Sequence, residues 1–214
     1  GVRLTALNFA GGDMAAGERG ILSHPHRRQE FRDNVDVAFG IADRLHTLAF
    51  NALYGNRLDG VPAAEQDSVA AEHLVHIDAM AERIGAVVLV EPLSGVDAYP
   101  LATAGDAVAV LDRLGELSSL RLLADLYHLS VNGDDLAAVI DACTDRIGHV
   151  QIADAPGRGA PGTGTIDFDR HLAHLRERGY RGNVSLEYRS DGRDPFGWLA
   201  RSRRGTDPWA PAAE

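Results

Sequence analysis

The chain has 214 residues, of which 21 are basic and 31 acidic, so its formal net charge is −10. This length suits one domain, and a hydrophobic content of 45% is enough to bury a core. All 21 Lys/Arg positions are arginine, which excludes Schiff-base lysine chemistry and a Walker A phosphate loop. The single cysteine, Cys143, excludes an intramolecular disulfide and a zinc site built on cysteines.

The charge balance and hydropathy also bear on partners and location. An acidic chain argues against nucleic acid as the main partner, because phosphate binding needs a basic stripe. No apolar run is long enough to cross a membrane, and the N-terminus shows no signal-peptide pattern. One cysteine is typical of a reducing compartment. We therefore expect a cytoplasmic protein that binds neither nucleic acid nor a membrane, and we leave a homo-oligomer open.

Six short apolar runs predict strands, and they alternate with helical patterns. In chain order the predicted strands cover residues 2–9, 46–53, 86–91, 120–125, 149–154 and 183–188. The predicted helices lie near residues 27–45, 63–84, 103–116, 134–146 and 167–179. Thr103 and Asp134 are the candidate N-caps of the third and fourth helices.

Regular alternation of strands and helices predicts an α/β fold with a parallel sheet. Two architectures fit this pattern, the doubly wound sheet and the (β/α)8 barrel. The phosphate-binding signature of the dinucleotide-binding version is missing, because the glycine-rich stretch at residues 157–164 carries no GxGxxG motif.

Four predicted strands end in oxygen-bearing side chains: Glu91, Asp125, Gln151 and Glu187. The spacings of 34, 26 and 36 residues are each close to one strand–helix unit. In a barrel the carboxyl ends of the strands converge on one face, where active sites lie. Three carboxylates and an amide oxygen are hard ligands, which suit Mg²⁺ or Mn²⁺. The alternative is that each is an ordinary polar residue facing a loop, since sequence does not determine that they point inward.

An imidazole follows the second carboxylate by three residues. His128 is a candidate to bind a substrate oxygen or to donate a proton to it, and a plain loop histidine is the alternative. Further candidates for lining a pocket, each equally compatible with a structural role, are Asn51, Asn56, Ser94 and Tyr99.

Several segments resemble a known family. VEPLSGVDAYPL, LLADLYHL, IGHVQIADAPGRGAPGTGTIDFDRHL and VSLEYR are similar to hydroxypyruvate isomerases, within the xylose-isomerase-like barrel superfamily. The resemblance runs from about residue 2 to residue 190. It implies a (β/α)8 TIM-barrel fold over residues 1–190, with residues 191–214 as a short C-terminal helix and tail.

The resemblance also implies site roles and a reaction. A divalent metal (Mg²⁺ or Mn²⁺) at the barrel mouth would be held by Glu91, Asp125, Gln151 and Glu187. Of these, Glu91 and Glu187 match the carboxylates that move protons, while His128 and Arg158 match substrate-binding positions. The implied substrate is a small hydroxy-keto acid, hydroxypyruvate, converted to tartronate semialdehyde. The residues suit this chemistry, because one carboxylate can remove a proton beside a carbonyl while another returns one to the neighbouring carbon.

The chain departs from the family in two ways. Only six strand–helix units are predicted instead of eight, and Asp154 is either an extra ligand or a loop residue. Related alternatives are a 2-oxo-tetronate isomerase or a sugar epimerase, which use the same enediol chemistry. A nuclease resembling endonuclease IV would need several zinc-binding histidines and a basic groove, and the histidine-poor strand ends and the net charge of −10 argue against it. A shortened barrel without catalytic activity is the remaining alternative.

Overall fold

The computed structural model describes residues 2–115, 117–190, 192 and 194–204. Its strands are β1 (Leu7–Asn8), β2 (Ala49–Asn51), β3 (Val87–Val90), β4 (Leu120–Asp125), β5 (Ile147–Ile152) and β6 (Val184–Leu186). Its α-helices are α1 (Arg28–Leu45), α2 (Ala63–Ile84), α3 (Ala104–Arg113), α4 (Leu126–Val131), α5 (Leu136–Cys143) and α6 (Phe168–Glu177). Short 3₁₀ helices cover Pro25–Arg27, Thr144–Arg146 and Arg201–Arg203.

The strands form one parallel sheet in the order β1-β2-β3-β4-β5-β6. Strands that are consecutive in the chain are therefore adjacent in the sheet, as in a (β/α)8 barrel. A doubly wound sheet would reverse its strand order at a switch point. The predicted barrel-type α/β fold with six units is confirmed. Within the described part of the chain, β1 and β6 each pair with a single strand and leave one edge free.

The two faces of the sheet have different surroundings. The outer face packs against the helices in the main core, which includes Phe9, Phe50 and Val88. A second, small apolar cluster of Ala49, Leu89 and Leu123 lies apart from that core. Side chains alternate along a strand, so Leu89 lies on the same face as position 91, and Leu123 on the same face as position 125. The small cluster is the apolar layer beneath the polar strand ends.

Helix caps follow the local sequence, with one correction. Thr103 caps α3 as predicted: its hydroxyl accepts from the Asp106 N–H at 3.1 Å, and Asp106 accepts from the Thr103 N–H at 2.8 Å. The prediction that Asp134 caps α5 was wrong by one residue. Asp135 is that cap, and Asp134 instead accepts from the Ala104 N–H at 3.0 Å.

Element bounds differ from the predictions most at the first two strands, since the predicted strand at residues 46–53 is reduced to β2. The predicted strand at residues 2–9 is reduced to β1, because only Leu7 and Asn8 pair with β2. Helix α4 was not predicted. It begins directly after Asp125, whose carboxylate accepts from the Tyr127 N–H at 2.8 Å.

Beyond β6, the described tail contains the 3₁₀ turn at Arg201–Arg203. The predicted division at residue 190 stays a prediction, and residues 205–214 lie outside the described part. Among the described helices, none combines the length and apolar character needed to cross a bilayer.

Candidate active site

The structure brings three of the four strand-end oxygens to one point. Glu91 directly follows β3, Asp125 ends β4, and Glu187 directly follows β6. Single ligand atoms of these carboxylates and of His128 all lie within 4.8 Å of one another. Parallel strands that end side by side produce this convergence. Gln151 lies on β5 between them, paired in register with Asp125.

Glu91 is one of the two buried carboxylates of the group, at 4% exposed. Its side chain is enclosed, and burial, then the nearby Asp125 and Glu187, raises its pKa to about 8. Asn51 donates from Nδ2 to Glu91 Oε2 at 2.6 Å, which favours the charged form and opposes part of that rise. Tyr99 donates its hydroxyl to the Glu91 carbonyl oxygen at 2.9 Å and holds the backbone there.

Among the described residues, two oxygens of the proposed metal ligands are buried without a hydrogen-bond partner. Asp125 is fully enclosed, and its Oδ2 has no donor within bonding distance, while its Oδ1 takes the Tyr127 N–H. The Gln151 Oε1 is likewise buried and unpartnered. Burial raises the pKa of Asp125, and the charge of Glu187 adds to the rise. Such groups cost free energy unless something binds them.

These features fit a divalent cation. The available donors are carboxylate and amide oxygens, which are the ligands hard cations prefer. A cation would satisfy the two orphaned oxygens and offset the repulsion that raises the carboxyl pKa values. The residues that could hold it are Glu91, Asp125, Gln151 and Glu187.

His128 is held as a neutral hydrogen-bond donor. Its Nδ1 lies 2.9 Å from the Ser94 backbone N and 2.7 Å from the Ser94 Oγ. A backbone N–H can only donate, so Nδ1 accepts and the ring proton sits on Nε2. Burial, then the charge of Arg158, lowers the pKa of His128 to about 4. The protonated Nε2 lies 3.7 Å from Asp125 Oδ2, at the edge of the site.

Arg158 brings a positively charged side chain to the site. Its Nη2 lies 2.9 Å from Glu187 Oε2 and 3.9 Å from Asp125 Oδ2. The guanidinium also lies 5.3 Å from the centre of the Tyr127 ring. The backbone of Arg158 has φ 55°, in the left-handed region that costs a non-glycine residue free energy. The Arg189 N–H donates to its carbonyl oxygen at 2.7 Å and helps hold it there.

Asp154 organises the loop that carries Arg158. Its enclosed carboxylate accepts three backbone N–H groups: from Gly162 at 2.9 Å, Gly164 at 2.8 Å and Ile166 at 3.0 Å. A Cβ added at Gly164 would lie 2.0 Å from the Ala155 carbonyl oxygen, so the loop requires glycine there. With its oxygens engaged in this way, Asp154 acts as a loop anchor, the second of the two readings that the sequence left open.

Sequence reasoning proposed the candidate site residues but not the contacts that hold them. The four candidate pocket residues divide: Asn51 and Tyr99 contact Glu91, and Ser94 contacts His128. Asn56 instead donates to the Gly17 carbonyl oxygen at 3.0 Å, in the loops after β1 and β2. The one available signal for α4 was Asp125 itself, an N-cap residue before LYHLSV.

A model of the xylose isomerase-like TIM barrel family matches residues 1–209. The chain belongs to this family. It is 50% identical over 214 residues to a putative hydroxypyruvate isomerase of Streptomyces coelicolor, covering 95% of the chain and 76% of that protein. The hydroxypyruvate isomerase of Escherichia coli is 34% identical, over 86% of the chain and 72% of that protein. A 2-oxo-tetronate isomerase of Cupriavidus necator is 30% identical, over 88% and 73%.

The family's barrel is also found among solved structures. A crystal structure described as an AP endonuclease, family 2, from Brucella melitensis superposes with a TM-score of 0.86 at 31% identity. It covers 92% of this chain, which in turn covers 77% of that one. The curated relatives are named as isomerases, and this member of the xylose isomerase-like family is hydroxypyruvate isomerase-like in sequence.

Proposed function

We propose that this protein is a metal-assisted aldose–ketose isomerase that converts hydroxypyruvate to tartronate semialdehyde through a cis-enediolate. The observation that carries the proposal is the convergence of Glu91, Asp125, His128 and Glu187 within 4.8 Å, beside Arg158. Similarity to hydroxypyruvate isomerases supports the choice of substrate.

The cation would be held by Glu91, Asp125, Gln151 and Glu187. Mg²⁺ or Mn²⁺ suits this all-oxygen donor set better than a softer metal. When bound, it would act as a Lewis acid that stabilises negative charge on two adjacent substrate oxygens.

Glu91 and Glu187 are the proposed proton-transfer groups. One removes a proton from C3 of hydroxypyruvate, and the other, across the substrate, delivers a proton to C2. The C3 hydroxyl proton passes to the C2 oxygen, so that C3 becomes the aldehyde and C2 the alcohol. Their environments differ, because Glu91 is enclosed with its pKa raised, whereas the Glu187 side chain is 44% exposed and lies beside Arg158. Different environments are what allow two carboxyl groups to take opposite roles.

Arg158 and His128 are the proposed substrate-binding residues. The guanidinium presents a planar fork that matches the carboxylate of a small acid. His128, held neutral by Ser94, donates from Nε2 to a substrate oxygen. A buried neutral donor adds no charge to a site that already holds three carboxyl groups.

The alternatives keep the same chemistry with other substrates. A 2-oxo-tetronate isomerase is supported by the similarity to that enzyme of Cupriavidus necator, and a sugar epimerase would also use an enediolate. The net charge of −10 argues against a nuclease role. A shortened barrel that binds metal without catalysis is the remaining alternative, and absence of turnover would support it. A cytoplasmic location and a homo-oligomer remain predictions.

Product formation tests the proposal. Purified protein with Mg²⁺ or Mn²⁺ is incubated with hydroxypyruvate, 2-oxo-tetronate or fructose, and products are followed by proton NMR. We expect tartronate semialdehyde from hydroxypyruvate, and a loss of at least about 100-fold in Glu187→Gln. Glu177→Gln, an exposed glutamate at the end of α6, is the matched control and should retain full activity. Turnover of another substrate in preference to hydroxypyruvate would overturn the assignment.

A further inference from the structure

The side-chain amide of Asn51 donates a hydrogen bond from its nitrogen, while its oxygen accepts none among the described residues. The residue is 5% exposed at the end of β2, and its Nδ2 donates to Glu91 Oε2 at 2.6 Å. Its Oδ1 is shielded from solvent and has no hydrogen-bond partner among the described residues. A buried amide oxygen without a donor costs free energy, so its presence beside the proposed proton-transfer group points to a ligand that donates to it.

The orientation of the amide follows from its partner. Only Nδ2 can donate, and the Glu91 carboxylate is an acceptor, so Nδ2 faces Glu91 and Oδ1 faces away from it. The backbone of Asn51 is already used in the sheet, where its carbonyl oxygen accepts from the Phe9 N–H at 2.9 Å. The free Oδ1 is therefore a fixed acceptor that a ligand O–H would satisfy.

The strand order places Asn51 opposite the arginine of the site. Asn51 lies on β2 and contacts Glu91 after β3, whereas Arg158 follows β5 and contacts Glu187 after β6. A three-carbon acid whose carboxylate lies at Arg158, and which spans the carboxylate cluster, would place its other end on the Asn51 side. In hydroxypyruvate that end is the C3 hydroxyl group.

We propose that Asn51 is a specificity-determining residue whose Oδ1 accepts a hydrogen bond from the C3 hydroxyl of the substrate. This inference rests on the proposed function. The same side chain positions Glu91 through Nδ2, so one amide orients a proton-transfer group and selects a substrate with a hydroxyl at C3.

A matched pair of non-reacting acids isolates this contact. D-Glycerate and D-lactate both carry a carboxylate and a C2 hydroxyl, and they differ in the C3 hydroxyl. Their dissociation constants are measured by calorimetry on the Mn²⁺-loaded parent protein, on Asn51→Ala and on Asn56→Ala. Asn56 is the control, because its side chain bonds to the Gly17 carbonyl oxygen outside the site.

The parent should bind glycerate more tightly than lactate, and Asn51→Ala should reduce that preference by about fivefold to tenfold. Asn56→Ala should leave it unchanged. Loss of the Nδ2 bond to Glu91 acts on both acids alike, so it cancels in the ratio. A purely structural role would weaken both acids equally, and an unchanged ratio would overturn the proposal.

Two further results would also decide against it. A tenfold loss of Mn²⁺ affinity in Asn51→Ala, with the ratio retained, would make Oδ1 a metal ligand instead. Equal binding of the two acids by the parent would overturn the proposal even if the variant fails to fold. Failure of the proposed function is seen separately, as absence of hydroxypyruvate turnover by the parent. Turnover by the parent, with the same ratio of glycerate to lactate dissociation constants in Asn51→Ala, would overturn only the Asn51 inference.

Discussion

The buried carboxyl of Glu91 makes stability depend on pH in the metal-free protein. Its pKa is about 8 in the folded chain, whereas the ordinary pKa of a glutamate is 4.5, so the folded form holds the extra proton between these values. The stability this provides is complete below pH 4.5 and is lost as pH rises through 8. Asp125, whose pKa is also raised, acts in the same direction.

We therefore expect Glu91→Gln to reduce the dependence of the unfolding free energy on pH. At pH 8 in chelator its Tm should exceed that of the parent by at least about 3 °C, since 1 kcal/mol moves the Tm of a chain this size by roughly 2–4 °C. At pH 4.5 the two Tm values should agree within about 1 °C. Thermal melts followed by circular dichroism from pH 4.5 to 8 check this, and parallel curves for parent and variant would contradict it.

His128 should stay neutral across the working pH range. Burial lowers its pKa to about 4, and the Ser94 N–H requires an unprotonated Nδ1. Long-range ¹H–¹⁵N NMR of the metal-free protein should show the Nε2–H tautomer from pH 5 to 8. A midpoint for His128 near 6.5 would rule out this account of its role.

At the residue scale, the sequence indicated candidate site residues but not the hydrogen bonds that they make. Glu91, Asp125 and Glu187 were identifiable because a carboxylate that ends an apolar strand must be paired, protonated or bound to metal. The bonds from Asn51 to Glu91 and from Ser94 to His128 join residues 40 and 34 positions apart in the chain. Only the register of neighbouring strands and the course of their loops determine such pairs, so spacing alone did not reveal them.

At the scale of elements, the loop after β5 depends on one anchor. Replacing Asp154 by Ala leaves three backbone N–H groups without an acceptor, which should cost about 3 kcal/mol of unfolding free energy. Since the loop carries Arg158, KM for the substrate should rise at least about tenfold.

Urea denaturation and hydrogen exchange test this prediction. The amides of Gly162, Gly164 and Ile166 should exchange faster in Asp154→Ala than in the parent. Asp135→Ala, which removes an exposed helix cap, is the control and should cost about 1 kcal/mol without changing KM. Equal effects of the two substitutions on KM would exclude the anchoring role.

Element types were predictable where the hydrophobic period was long. The predicted helix at residues 63–84 coincides with α2, and the predicted strand at residues 120–125 coincides with β4. Helix α4 has six residues, too few for a period to show. The first strand was overestimated because apolar content predicted residues 2–6 as strand, whereas pairing with β2 begins at Leu7.

At the scale of the whole molecule, the site joins four consecutive strands. A cation bound by groups on β3, β4, β5 and β6 stabilises only the folded chain, so its affinity adds to the unfolding free energy. At 100 times its dissociation constant, Mg²⁺ should contribute about 2.7 kcal/mol and raise the Tm by roughly 5–10 °C. Asp125→Asn should lose most of this gain in a calorimetric scan, and an equal gain in that variant would contradict the site.

The parallel strand–helix architecture could be predicted from the sequence. Whether the sheet closes into a complete barrel could not. Regular alternation predicted parallel units, and the strand order confirmed the barrel type over the doubly wound sheet. Among the residues that the structure describes, β1 and β6 each have one unpaired edge. Which segments lie beside those edges is a matter of tertiary structure, on which the hydrophobic period carries no information.

Solvent deuterium exchange during turnover of hydroxypyruvate tests the central claim most directly. The protein, loaded with Mg²⁺ or Mn²⁺ in D₂O, should form tartronate semialdehyde with deuterium at C2, because the second carboxyl group delivers a solvent-derived proton there. Return of the enediolate to substrate should also introduce deuterium at C3 of the remaining hydroxypyruvate. Glu91→Gln and Glu187→Gln should abolish the exchange. Absence of exchange from a folded, metal-loaded sample of the parent would contradict enediolate chemistry on this substrate.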